Sequence, residues 1–168
     1  MLIPTRRRTW GPEGHTPKIP YSYKHDRISA LVVLTVSPVR QRIGLYARFQ
    51  QDNFKAVHVA PFLGQLLRHV PGPVILLWDQ GQIHKGPAIE RVLLDNPRLH
   101  TEFFPKYAPE LNPAEQVWNE FKGHTANSLP LVKQDIRNNL HANKRRVLRS
   151  QDKLRSLILA SKLPSPFE

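Results

Sequence analysis

Two acidic residues stand where chemistry would need them. Asp79 directly follows the apolar run VILLW (74–78), and in open α/β sheets ligands gather outside the carboxyl ends of strands. Glu115 lies in Asn112-Pro113-Ala114-Glu115, where a helix would carry a metal-binding carboxylate toward that sheet edge. Each has a plainer reading. Asp is a common turn residue after a strand, and an acid three residues after an Asn N-cap completes a capping box. An apolar run ending in Asp also resembles the Mg²⁺-holding acid of nucleotide hydrolases. That site requires a Gly-rich loop ending in Gly-Lys, and no Gly-Lys pair occurs here. The histidines (15, 25, 58, 69, 84, 100, 124, 141) never form His-Glu-x-x-His, so no metal is assigned to them. His84, five residues after Asp79, either borders the same cleft or is a surface or capping histidine.

The elements that must position these residues follow from periodicity. RISALVVLTV (27–36) is rich in β-branched residues and predicts a strand, with RIGLYARF (42–49) as its hairpin partner. Val59, Phe62, Leu63, Leu66 and Leu67 recur at helical spacing and predict a helix over 54–69, stopped by Pro71-Gly72-Pro73. VILLW is a short continuous apolar run, the pattern of a strand covered on both faces. A helix over 87–94, a strand over 99–104 and a helix from Asn112 to about Thr125 follow. In that last helix Asn112 is the N-cap, Pro113 the first residue, and Ala114, Val117, Trp118 and Phe121 one apolar face. One or two more helices fit 132–162. This order is that of an α/β fold.

The chain has 168 residues, room for one domain, with no cysteine and hence neither disulfides nor thiolate zinc. Its apolar runs are far shorter than a membrane span, and MLIPTRRRTW lacks the apolar stretch of a secretory signal. A soluble cytoplasmic protein is expected. The net charge of +12 is uneven: +4 over 1–27, +2 over 28–132 and +7 over 133–162. Basic ends on a nearly neutral body suit a polyanion, because each cation near a phosphate releases counterions. Lys144, Arg145, Arg146, Arg149, Lys153 and Arg155 are the candidate backbone contacts; the plainer reading is a solvated helix face. No aromatic-interleaved ribonucleoprotein motif favours RNA.

RRRTWGPEGHTP (6–17), WDQGQIHKG (78–86) and PKYAPELNPAEQVW (105–118) together resemble the catalytic domain of mariner-type DDE transposases of bacterial insertion sequences. The third motif is long and specific, and the 35 residues between Asp79 and Glu115 fit the family's last two acids. Gln80 is a tolerable departure from the Asn usual after this Asp. The resemblance implies a ribonuclease-H-like mixed sheet flanked by helices, over about 1–130, with a basic helical extension over 131–168 packed on it. It implies a site in which carboxylates hold two Mg²⁺ or Mn²⁺ ions for cleavage and strand transfer, with Asp79 and Glu115 as the second and third acids and His84 and Asn112 beside them. The implied partners are transposon-end and target DNA, with a homo-oligomer as the complete assembly and a nucleoid-associated location.

The family's first acid sits in an Asp-Glu-x-x-Phe segment upstream of Arg-Thr-Trp, and neither Glu13 nor Asp26 matches it. The expectation is therefore a truncated or split transposase lacking its first strand, that strand's Asp and the helix-turn-helix region. Such a chain alone would not cut DNA. It would need an upstream-encoded fragment, or it would be a non-catalytic DNA-binding remnant. Without the strand, the edges of 28–36 and 74–78 would face a gap.

Overall fold

The computed structural model describes residues 11–15, 28–37, 39, 42–125 and 133–167. Most of the 6–17 motif, Asp26 and residues 126–132 lie outside the described residues. Within 11–15, His15 N–H donates to Pro12 O (3.0 Å) across a turn in which Gly14 takes the left-handed φ of 77°.

Strands β1 (Ser29–Val36) and β2 (Ile43–Gln50) form the expected antiparallel hairpin, with Ser29 opposite Gln50 and Val36 opposite Ile43. Strand alternation divides their side chains between two cores. Ala30, Val32, Leu34 and Val36 join Ile43, Leu45 and Phe49 on one face, whereas Leu31, Val33 and Tyr46 reach the other. Because the register sets Leu34 against Leu45 and Val33 against Tyr46, each face is built from cross-strand pairs.

Three helices cover the first face: α3 (Pro113–Thr125), α4 (Lys133–Leu148) and α5 (Gln151–Leu159). They contribute Val117, Phe121, Ile136, Leu140, Val147, Leu154, Leu157 and Ile158, all buried. Leu148, the next residue after Val147, is exposed instead. Val147 stands seven residues after Leu140 and shares its stripe, while Leu148 is turned about 100° further round. The Gln151 side chain pins α5 to the start of β2, its Nε2 donating to Ile43 O (3.0 Å) and its Oε1 accepting from Ile43 N–H (2.9 Å). Ser150 Oγ caps α5 by accepting from Lys153 N–H (3.1 Å).

The second face meets α1 (Ala56–His69), α2 (Pro87–Asp95) and the parallel pair β3 (Val74–Trp78) and β4 (Leu99–Phe103). All five apolar positions named for the first helix are buried. Arg98 donates to the carbonyls of Leu67, Val70 and Gly72, satisfying the end of α1 and the turn into β3. Strand β3 corrects one expectation. It buries Leu76 and Trp78 but leaves Ile75 71% and Leu77 42% exposed, so one face is covered, not two. A continuous apolar run signals that both faces are apolar, and says nothing of which one finds a partner.

The antiparallel and parallel pairs give the mixed strand directions expected, as two separate two-stranded sheets. Among the described residues β1 pairs only with β2 and β3 only with β4, leaving each with one edge outside any ladder. No helix among the described residues is long and apolar enough to cross a membrane.

Candidate active site

Asp79 is placed by the parallel pair. Trp78, the last residue of β3, is buried and stacks on its β4 partner Phe103 (ring centroids 5.9 Å apart, planes at 23°). The next residue along β3 leaves the sheet at its carboxyl end and turns to solvent, with the Asp79 side chain 63% exposed. Two groups fix one of its oxygens: Gly81 N–H donates to Oδ1 (2.8 Å), and His84 Nε2 lies 3.2 Å from the same atom. The turn reading of Asp79 is thus correct for Oδ1 and leaves Oδ2 available. Gly81 leaves the carboxylate room, since a Cβ there would stand 2.8 Å from Asp79 Oδ1 and displace it.

His84, on the 3₁₀ turn Gln82–His84, is only 10% exposed and packs on Trp78 at 4.7 Å between ring centroids. Burial lowers its pKa, against the pull of the Asp79 charge. Its Nδ1 is buried and without a partner among the described residues. Spacing left His84 either beside the same cleft or at the surface or a cap; it lies buried against Asp79. Its platform, Trp78, carried no such signal.

Glu115 is placed by the N-terminus of α3. Asn112 Oδ1 accepts from Ala114 N–H (3.0 Å), as an N-cap should. The capping-box reading of Glu115 fails, however, because the Asn112 N–H donates to Pro109 O (3.0 Å) at the end of the 3₁₀ turn Pro109–Leu111. The Glu115 carboxylate is exposed and free of that duty.

Asp79 and Glu115 line one open cleft of about 490 Å³, together with Gln80, Lys85, Lys106, Tyr107 and Asn112. Gln80 Nε2 donates to Phe104 O (3.2 Å), so its extra methylene, relative to Asn, ties the β3 exit to the β4 exit. Lys85 and Lys106 put positive charge on a cleft whose acids would otherwise repel phosphate. Sequence reading missed both lysines and Tyr107. No group of three or more His, Cys, Asp or Glu able to hold a metal occurs among the described residues. Two carboxylates on one cleft fit a single hard divalent cation completed by water or phosphate oxygens; this donor set is short for two ions.

The six basic residues of the C-terminal helices fare differently from one another. Arg146 and Lys153 ion-pair with Glu120 at 2.9 and 2.8 Å, and Arg155 lies 4.2 Å over the Phe167 ring. Lys144 is half-buried, and desolvation lowers its pKa. Arg145 and Arg149 are exposed. On α3, Glu120 also meets His124 at 2.9 Å. Burial raises the Glu120 pKa, but hydrogen bonds and charge from Lys153 and His124 outweigh it and hold the carboxyl below its ordinary value.

A family model described as DDE superfamily endonuclease matches residues 1–136. No curated protein matches the chain. Among solved structures it is similar to the Mos1 transposase in a paired-end complex with the left transposon end, at 13% identity and a TM-score of 0.57. That alignment covers 95% of this chain and 52% of the other, so the chain spans about half the length of the transposase it matches. The catalytic domain of Mos1 mariner transposase aligns at 13% identity and a TM-score of 0.49, covering 81% of this chain and 83% of that one. The α/β fold, ribonuclease-H-like, is the one shared with the Mos1 transposase of the paired-end complex.

Proposed function

The chain belongs to the DDE superfamily endonuclease family, and from that premise we propose that it is the greater part of an insertion-sequence transposase catalytic domain, acting on DNA phosphodiesters with a divalent cation. One observation carries the reading: Asp79 and Glu115, far apart in sequence and on different elements, line one cleft. Glu115 is not consumed by helix capping, and Asp79 is held by one oxygen only. Mg²⁺ or Mn²⁺, when bound by these two carboxylates, would neutralise charge on the attacking and leaving oxygens. The chain's own groups do the rest. His84 and Gly81 orient Asp79, Asn112 sets the start of α3, and Lys85 and Lys106 hold phosphate at the cleft.

The partners are transposon-end and target DNA, with Lys144, Arg145, Arg146, Arg149, Lys153 and Arg155 contacting backbone without reading sequence. We take 1–130 as the catalytic unit, 131–168 as its basic extension, and the bacterial nucleoid as the setting. A second polypeptide supplying a strand and a third acid would complete the donor set and pair the edges that β1 and β3 leave outside any ladder among the described residues, and a homo-oligomer would bring two DNA ends together. The shortage of a third acid among the described residues favours one rival, a DNA-binding remnant without catalysis. Mn²⁺ titration separates the two. The catalytic reading requires saturable Mn²⁺ binding that is lost in both Asp79→Asn and Glu115→Gln, and Mn²⁺-dependent nicking when the chain is extended upstream through an Asp-Glu-x-x-Phe segment. DNA binding indifferent to Mn²⁺ and to both substitutions would leave the remnant.

A further inference from the structure

We propose that Tyr107 is a base-stacking residue, its ring receiving an unpaired nucleobase of the DNA strand bound at the cleft. The proposal rests on the reading of that cleft as a DNA site and adds to it the residue that engages a base.

Tyr107 has φ of 58°, the only positive value at a non-glycine position among the described residues. For a bulky side chain this region is strained, and glycine or asparagine is the usual choice. The strain is not offset by packing, because Tyr107 is 99% exposed. A large aromatic held in an unfavourable backbone state, with its whole surface in water, gives the isolated fold nothing. Outliers of this kind gather at ligand sites.

The turn that presents the ring is fixed at both ends. On one side Phe104 is buried, its N–H donating to Trp78 O (2.9 Å) and its carbonyl accepting from Gln80. On the other, Leu111 N–H donates to Ala108 O (3.1 Å). Pro105 and Pro109 restrict the backbone beside the Lys106–Tyr107 turn. Tyr107 therefore stands at a set position on the cleft that holds Asp79, Glu115, Lys85 and Lys106.

An exposed aromatic face flanked by lysines matches a nucleotide, with its π surface and its phosphate. Within a duplex each base is already stacked on its neighbours. Where the strand whose phosphate enters the cleft carries an unpaired base, as at an overhang, that base has lost a stacking neighbour and the exposed ring supplies one.

The test uses the full chain with Mn²⁺ and a hairpin DNA ending in a single-stranded overhang, its first unpaired base replaced by a fluorescent purine analogue that stacking quenches. The wild-type chain and Tyr107→Phe should quench the analogue. Tyr107→Asn, which suits the same φ, should lose the quench and bind the overhang about ten-fold more weakly, while its affinity for blunt duplex stays within about two-fold. Its melting temperature should equal or exceed that of the wild type, so a loss of binding is not a loss of fold. Quenching and affinity unchanged in Tyr107→Asn would overturn the proposal alone, provided Asp79→Asn and Glu115→Gln still abolish Mn²⁺-dependent binding. Binding untouched by all three substitutions would overturn the cleft reading, and this proposal with it.

Discussion

His84 Nε2 lies 3.2 Å from Asp79 Oδ1, and the imidazole that makes this contact is itself packed on the buried Trp78 ring. The exposed carboxylate at the end of β3 is thereby connected to the core through two rigid rings. Outer-shell donors of this type fix the direction of a metal-binding oxygen. His84→Ala should therefore lower Mn²⁺ affinity by about ten-fold or more and cost about 1–2 kcal/mol of stability from the lost ring packing and hydrogen bond. Calorimetric Mn²⁺ titration paired with thermal melting checks both. A stability loss with unchanged Mn²⁺ affinity would make His84 purely structural.

Gly81 offers a cleaner perturbation of the same carboxylate. Its φ is negative (−58°), so alanine is not strained in its backbone. A Cβ would nevertheless meet Asp79 Oδ1 at 2.8 Å, and the carboxylate, as the movable partner, must swing away. Gly81→Ala is expected to change stability by no more than about 0.5 kcal/mol while weakening Mn²⁺ binding several-fold. A crystal structure of the variant should show Asp79 in a new rotamer. An unmoved side chain would mean that the backbone gives way instead.

The sequence made the scaffold legible wherever a period repeats. Alternation in β1 and β2 and the Val59–Leu67 stripe of α1 each run long enough to name which side chains are inward. It was less legible at single positions. Nothing linear distinguishes Val147 from Leu148, because the difference is one step of helical phase. The exposure of Ile75 and Leu77 depends on which neighbour covers a face, which is a property of the whole fold. In the site, the strand-end Asp and the Asn112 cap could be read locally. The fate of the Glu115 carboxylate could not, because it turns on the Asn112 N–H reaching back to Pro109, a contact made by a 3₁₀ turn that spacing does not announce. Tyr107 gives no signal at all, since a left-handed φ has no period.

Glu120 and His141 set the acid sensitivity of the helical side of the molecule. Burial lowers the His141 pKa, helped by Arg137, Lys144 and Arg145. A histidine depressed in the folded state is neutral in both states above its ordinary value of 6.5, so it contributes full stability there. As pH falls below 6.5 the unfolded chain takes up the proton first, and stability is lost. Glu120, depressed from 4.5, adds a second loss as pH falls from 4.5 through its folded value. Melting temperature is expected to fall in two stages, the lower one absent in Glu120→Gln. That variant should also be about 1–2 kcal/mol less stable at neutral pH, because Arg146 and Lys153 lose the negative charge they share and the amide keeps only one acceptor oxygen. A single-stage profile identical in the variant would count against the Glu120 assignment.

The basic face is divided by the same carboxylate. Arg146 and Lys153 are committed to Glu120, whereas Arg145 and Arg149 are exposed on α4 and just beyond its end. A side chain already neutralised within the protein releases fewer counterions from DNA than one that meets phosphate directly. Each full phosphate contact changes the slope of log affinity against log salt by about 0.9 on duplex DNA. The double variant Arg145→Gln with Arg149→Gln is therefore expected to flatten that slope by about 1–2 for any duplex sequence. Arg146→Gln with Lys153→Gln should flatten it by less, and should lower the melting temperature as the first pair does not. Salt titrations of duplex binding by fluorescence anisotropy, set beside melting curves of both pairs, measure the contrast. Equal slopes in both variants and the wild type would show that these helices present only a solvated surface. A larger slope change in the Glu120-bound pair would mean that DNA draws Arg146 and Lys153 off their carboxylate.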